Sequence, residues 1–110
     1  MKKVIFRTVK TTIKGQEIDI VYRENIRQLM LIPLDPEKGT SYEEMAVVIP
    51  ILEKFKHAIG DYILLEDAEH TEVVKRLKNA QFIENTPEVY DMIQSVVDAP
   101  EHLMEAAKDG

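Results

Sequence analysis

Residues 3–22, KVIFRTVKTTIKGQEIDIVY, decide the fold, because apolar and polar side chains alternate along them on both sides of Lys14 and Gly15. A period of two residues is typical of β-strands with one buried face. A glycine between two such stretches supplies the backbone freedom that a tight turn needs. The sequence therefore predicts a β-hairpin with strands over residues 3–13 and 16–22.

The register of this hairpin follows if Lys14 and Gly15 form its loop. Val9 then faces Ile20, and Lys10 faces Asp19. The same parity pairs Ile13 with Gln16, Thr11 with Ile18 and Arg7 with Tyr22. It gathers most apolar side chains on one face, which holds Ile5, Val9, Ile13, Ile18, Ile20 and Tyr22. We expect that face to be buried and the tip of the hairpin to be solvated.

Two helices are predicted after the hairpin. A period of 3.6 residues runs from residue 23 to about residue 32, and a loop rich in proline and glycine follows over residues 33–39. Ser41 with Glu44 forms a capping box that opens a helix over residues 42–59. Its predicted apolar stripe consists of Met45, Val48, Ile49, Leu52, Phe55 and Ile59. Pro50 lies inside that helix and predicts a kink or a division into two helices.

The second half of the chain predicts one more strand and two more helices. Residues 61–66 are short and apolar, which indicates a buried strand that pairs with the hairpin. Asp67 is the expected N-cap of a third helix, with Lys75, Arg76 and Lys78 as its solvated end. Thr86 and Pro87 are typical of the start of a fourth helix, which Pro100 ends.

These elements predict an α+β fold in which the N-terminal hairpin and one further short strand form a small sheet packed against three to four helices. Strands and helices do not alternate as they do in a doubly wound fold. Residues 1–100 are expected to form a single domain, and residues 101–110 a flexible or weakly helical tail.

Composition narrows the classes of function. The 110 residues contain no cysteine, which excludes disulfides, thiolate metal sites and cysteine nucleophiles. Charged residues interrupt the first fourteen positions, and the longest uncharged run, residues 45–52, is too short to span a bilayer. We therefore expect a protein of the cytoplasm, without signal peptide or membrane contact.

Charge is distributed unevenly along the chain, whose net charge is −6. Five basic residues precede the first acidic one, Glu17: Lys2, Lys3, Arg7, Lys10 and Lys14. One alternative function is therefore a small nucleic-acid-associated regulator that uses the basic hairpin to contact phosphates. Solvated lysines on alternate strand positions explain the same pattern in an acidic chain, so nucleic acid is not the favoured partner.

A second alternative is a small metal-dependent enzyme that uses Glu66 and His70. Oxygen and imidazole ligands suit zinc or manganese, but Asp67 and Glu69 also fit an ordinary helix start, and no second histidine stands at metal spacing. Neither a glycine-rich phosphate loop nor an activated serine is present. The sequence predicts no catalytic residue, no metal site and no cofactor.

Four segments carry a resemblance to known proteins: YRENIRQLM at residues 22–30, PLDPEKG at 33–39, SYEEM at 41–45 and LEDAEH at 65–70. Over residues 22–100 the pattern resembles small accessory and assembly proteins of tailed bacteriophages and prophages. The resemblance implies a virion-assembly or accessory protein that acts through contacts, located in the host cytoplasm or in the virion.

The favoured function is therefore a non-enzymatic protein–protein interaction or assembly module, with self-association as one form of it. An outer strand of the hairpin offers unpaired backbone groups to another chain unless charge protects it. Charges guard the tip of the hairpin but not its base. We predict partner contacts at Val4, Ile5 and Phe6, joined by Leu103 and Met104 of the acidic tail.

Overall fold

The computed structural model describes residues 1–80 and 86–102, and they form four helices and four strands in these ranges. The elements are β1 (Lys2–Ile5), β2 (Thr8–Ile13), β3 (Gln16–Val21), α1 (Tyr22–Met30), α2 (Tyr42–His57), β4 (Tyr62–Leu65), α3 (Asp67–Asn79) and α4 (Pro87–Val97). The predicted α+β class is confirmed.

The hairpin β2–β3 has the predicted register. Val9 pairs with Ile20 and Lys10 pairs with Asp19. At the turn, Lys14 and Gly15 have φ angles of 53° and 80°. Two consecutive positive φ angles define a type I′ turn, whose twist matches that of the flanking strands. Local turn chemistry thus sets this register.

The strands form two separate two-stranded sheets, which corrects the prediction of one sheet. β1 pairs antiparallel with β4, and among the described strands β2 pairs with β3 alone. The chain changes its pairing partner between Phe6 and Arg7. The amide of Phe6 donates to the carbonyl of Asp61 at 2.7 Å, before β4. The carbonyl of Arg7 accepts from the amide of Tyr22 at 2.9 Å, at the end of β3. One extended stretch of sequence therefore serves two sheets.

Burial on the inner face of the hairpin decreases toward its tip and differs between the two strands. Ile20 and Tyr22 belong to the core, and Val9 packs against it. Ile18, expected to be buried, is 40% exposed. Thr11, which pairs with Ile18, is only 5% exposed, so at this level the core covers β2 but leaves β3 open to solvent.

Helix α2 begins as predicted and continues through Pro50. The Ser41 hydroxyl accepts from the amide of Glu44 at 3.1 Å, and the Glu44 carboxylate accepts from the amide of Ser41 at 3.4 Å. The chain does not divide into two helices at Pro50. The buried stripe differs from the predicted one and consists of Val48, Ile51, Leu52 and Phe55.

Two ion pairs join helices α2 and α3, which run in opposite directions. Near one end, Lys54 Nζ is 2.7 Å from Glu69 Oε1, and near the other, Arg76 Nη2 is 3.0 Å from Glu44 Oε2. Arg76 is therefore buried, and the prediction that it lies at a solvated helix end is wrong. The N-cap of α3 is Glu66 instead of Asp67.

The remaining predictions concern the C-terminal part of the chain. Thr86 caps α4 as expected, since its hydroxyl accepts from the amide of Val89 at 3.3 Å. Glu101 and His102, assigned to a loose tail, are tied to the start of β1: Glu101 bridges to Lys2, and the amide of His102 donates to the carbonyl of Met1 at 2.7 Å. Residues 103–110 lie outside the described residues.

Candidate protein-interaction surface

One side of α2 carries large apolar side chains that face solvent. Tyr42 is 80% exposed, Ile49 is 46% exposed and Met45 is 43% exposed. At 100° per residue, Tyr42 and Ile49 lie more than about 100° from the centre of the buried stripe, whereas Met45 lies at its edge, next to Leu52. Met45 and Ile49 were predicted to be buried, so the apolar surface of α2 exceeds what the core uses.

These side chains line a shallow depression of about 460 Å³. Its lining residues are Tyr42, Met45, Ala46, Ile49 and Pro50, which we name the α2 outer face. Charged groups are absent from this lining. A second groove, of about 310 Å³, runs between α1 and α2 and shares Ile49 with the outer face, but five of its eight lining residues are charged or polar, so the surface becomes polar in that direction.

The two ends of α2 carry opposite charges. Glu43 lies in the first turn, and Lys56 and His57 lie in the last. His57 is paired with Glu53 at 3.1 Å. Within residues 1–80 and 86–102, neither Glu43 nor Lys56 makes an ion pair or a side-chain hydrogen bond. An apolar centre thus lies between an acidic and a basic end.

Helix α2 is held rigidly from its inner side. Phe55 is fully buried and contacts the ring of Phe6, with 5.8 Å between the ring centroids. Glu44 and Lys54 join α2 to α3 through the two ion pairs described above. The outer face is therefore presented on a fixed element rather than on a loop.

The partner residues predicted from the sequence lie elsewhere and are less accessible than expected. Val4 is fully buried, and Ile5 and Phe6 are half-buried. The open edge expected at β1 is occupied at its start, because the amide of Lys3 donates to the carbonyl of Pro100 at 2.9 Å. Burial thus removes Val4 from any surface contact. Leu103 and Met104 lie outside the described residues.

Phe6 already has two aromatic contacts within the chain. Besides Phe55, the guanidinium of Arg23 lies over its ring at 4.8 Å. Arg23 also donates to the carbonyls of Ala58 and Gly60, at 2.8 Å and 3.2 Å. Phe6 and Arg23 thus connect the end of β1 to the segment that follows α2.

Glu66 and His70 serve the fold. The carboxylate of Glu69 accepts from the amide of Glu66, which places Glu66 in the capping box of α3. His70 Nε2 lies 2.7 Å from the carbonyl oxygen of Val96 and, since a carbonyl only accepts, Nε2 carries the proton. Across the described ranges, no group of three or more acidic or histidine side chains could hold a metal ion.

Two of the basic residues at the start of the chain, Lys2 and Lys10, form ion pairs. Lys10 lies 3.1 Å from Asp19 and 3.3 Å from Glu17, and hydrogen bonds to Asp19 and then Glu17 raise the pKa of Lys10. Lys2 pairs with Glu101 at 3.0 Å. Nearby acidic groups therefore reduce the positive potential that the sequence suggested.

The outer face of α2 was missed by the sequence reasoning, although residues 45–52 contain a signal for it. This run is apolar at every position, so it holds more apolar side chains than one buried stripe of a helix can accommodate. Helical spacing allows either choice of stripe, and the predicted stripe places Met45 and Ile49 in the core.

Comparison of the chain with protein-family models, with curated proteins and with solved structures finds no match. Among the residues that the structure describes, none of the helices has the length and apolar character needed to cross a membrane.

Proposed function

We propose that this protein is a non-enzymatic interaction or assembly module that binds a protein partner through the α2 outer face. The observation that carries the proposal is the cluster of exposed apolar side chains on one side of α2, with Tyr42 at its N-terminal end. Contiguous exposed apolar surface on a folded domain marks interaction sites, and tyrosine is enriched among the residues that dominate binding energy.

The geometry of the outer face favours a protein over a small molecule. Small-molecule pockets are deep and combine apolar walls with a few convergent polar groups. The α2 depression is open and lined by five residues without a charged group. A shallow apolar surface of this kind fits the side of a helix or a similar convex element of a partner.

The two alternative functions draw on residues that already have roles within the fold. Glu66 and His70, the basis of the metal-enzyme alternative, cap α3 and join α3 to α4. Lys2 and Lys10, from the basic start of the chain, pair with acidic neighbours.

The resemblance of residues 22–100 to phage accessory proteins supplies the proposed setting, a virion-assembly or accessory role.

Site-specific photocrosslinking tests this proposal. A photoreactive phenylalanine analogue replaces Tyr42 in one variant and Lys78, which is exposed on α3, in a matched control. In the cells that produce the protein, we expect a discrete protein adduct at position 42, its loss on Ile49→Lys, and no such adduct at position 78. Equal labelling at both positions, or none at position 42, would contradict the proposal.

A further inference from the structure

We propose that the outer edge of β4 is a docking site for an extended strand of a partner protein, added antiparallel and carrying a basic residue at each end of an uncharged centre. This edge is separate from the α2 outer face and does not depend on the function proposed for that face. Strand addition gains affinity from main-chain hydrogen bonds and specificity from the side chains that alternate along the added strand.

The backbone of β4 is hydrogen-bonded on one side only. The amide of Phe6 donates to the carbonyl of Asp61, and bonded and non-bonded pairs alternate along an antiparallel ladder. Ile63 therefore bonds to β1, whereas the N–H and C=O groups of Tyr62 and Leu64 point away from it. Among the described residues, no backbone or side-chain group bonds to these outward groups.

The other strand edges in the described ranges are covered or carry charges. The free side of β1 is covered at its start, where the amide of Lys3 donates to the carbonyl of Pro100. The edges of the hairpin carry the exposed charges of Lys10 and Glu17. β4 has no charged residue, and its Tyr62 is 38% exposed. Because charged side chains protect an edge from pairing with other chains, β4 is the unprotected edge.

The charges at the two ends of β4 select the partner. Asp61 precedes the strand and Glu66 follows it, both are exposed, and neither makes an ion pair with a described residue. They are five positions apart, about 17 Å along a strand, and therefore lie on opposite faces of the sheet. Two basic residues five positions apart in a partner strand also lie on opposite faces, so a single register pairs both with a carboxylate.

Antiparallel addition continues the order in which β1 and β4 already pair. It is also slightly more stable per residue than parallel addition. In this order the first basic residue of the partner lies level with Glu66 and the second lies level with Asp61. A second copy of β4 is a poor occupant, because two antiparallel β4 strands bring acidic ends beside acidic ends, and like charges on paired strands are destabilising.

Amide hydrogen exchange of the full chain, followed by NMR, tests whether the edge is open. In the free protein, the amides of Tyr62 and Leu64 should exchange at least about tenfold faster than that of Ile63, which is bonded to β1. Equal protection of the three amides would overturn the proposal. It would also be overturned by protection of Tyr62 and Leu64 that rises with protein concentration, which indicates a second copy, or that disappears on deletion of residues 103–110, which indicates that segment.

Peptide titration, also followed by NMR, tests the chemistry of the partner. The probe is the peptide RVTVTR with blocked termini, for which we expect a Kd of about 100 μM and new protection of the amides of Tyr62 and Leu64. The matched peptide EVTVTE should bind at least about tenfold more weakly. No binding of RVTVTR, equal binding of the two peptides, or binding without protection of these amides would each contradict the proposal.

Two proline substitutions test the main-chain pairing. Leu64→Pro removes an N–H group that the fold does not use, so the circular dichroism spectrum should be retained and binding of RVTVTR should be lost. The peptide RVPVTR, with proline level with Leu64, should fail to bind the unchanged protein, which keeps the test valid if Leu64→Pro does not fold. Binding that survives the peptide substitution would exclude strand addition.

A charge exchange at Asp61 tests the orientation, and it leaves Glu66 in the capping box of α3 unchanged. Asp61→Lys should weaken binding of RVTVTR about fivefold. In antiparallel order the last residue of the peptide lies level with position 61, so Asp61→Lys should bind RVTVTE more tightly than EVTVTR. The reverse preference, or none, would overturn the antiparallel arrangement.

Discussion

Arg76 of α3 forms an ion pair with Glu44 of α2, with 3.0 Å between Nη2 and Oε2. The same Glu44 carboxylate also accepts a hydrogen bond from the amide of Ser41 at the start of α2. Arg76 is only 2% exposed and also contacts Glu72, with Nε 2.9 Å from Oε2. One carboxylate thus caps α2 and pairs with a buried guanidinium of α3. The N-terminus of α2 and the position of α3 are therefore coupled.

Replacement of this guanidinium should destabilise the protein strongly. Arg76→Met removes the buried guanidinium that both Glu44 and Glu72 contact, although Glu72 keeps its ion pair with Lys75 at 3.3 Å, and loss of one member of a buried ion pair is costly. Because both carboxylates retain some contact with water, we expect a loss of about 2–3 kcal/mol in the free energy of unfolding, measured by urea denaturation. Lys75→Met, at the neighbouring exposed position, should change it by less than about 0.5 kcal/mol. Equal effects of the two substitutions would contradict a special role for Arg76.

The pH dependence of stability should report the carboxylate of Glu44. Hydrogen bonding from the backbone of Ser41, and next the contact with Arg76, lower the pKa of Glu44. A carboxyl whose pKa is lowered by folding contributes stability above its unfolded pKa and loses it as the pH falls through the folded value. The stability advantage of the wild type over Glu44→Gln should therefore be full above about pH 5 and shrink as the pH falls below the ordinary glutamate pKa near 4.3. A difference that stays constant from pH 7 to about pH 3 would contradict this assignment.

Removal of the proline inside α2 should stabilise the protein. Pro50 has no amide hydrogen for the carbonyl of Ala46, and its ring crowds the preceding turn. Since Pro50 is exposed, Pro50→Ala leaves the core intact, and we expect a gain of about 2 kcal/mol in the free energy of unfolding after the entropy of the unfolded chain is included. Glu53→Ala, exposed one turn further along α2, serves as the control. A destabilised Pro50→Ala variant would show that the proline has a structural role beyond its helix.

His70 should behave as a structural donor and not as a metal ligand. Its Nε2–H bond to the carbonyl of Val96 joins α3 to α4, and His70→Ala should cost about 1 kcal/mol of stability. Calorimetric titration of the wild type with Zn²⁺ and with Mn²⁺ should show no saturable micromolar site. A site that disappears in His70→Ala would establish the metal alternative instead.

Much of the fold could be predicted wherever the deciding interactions are local. The pairing of Val9 with Ile20 and the cap formed by Ser41 and Glu44 depend on residues within a turn or a hairpin of each other, and both are confirmed. Predictions that needed distant contacts were less accurate. β4 pairs with β1, which is the start of the predicted first hairpin strand, and not with β2 or β3, because that strand changes partner between Phe6 and Arg7.

In the candidate site, too, local features could be predicted from the sequence and burial could not, and both cases occur within the single helix α2. Helical periodicity follows from the sequence of α2 alone, but residues 45–52 are apolar on all sides, so more than one stripe could face the core. By itself, the sequence determined the α+β class, the hairpin register and the start of α2. Only the tertiary structure decided that Ile51 is buried, that Met45 and Ile49 are exposed and that Arg76 lies inside, because burial depends on which surfaces distant segments cover.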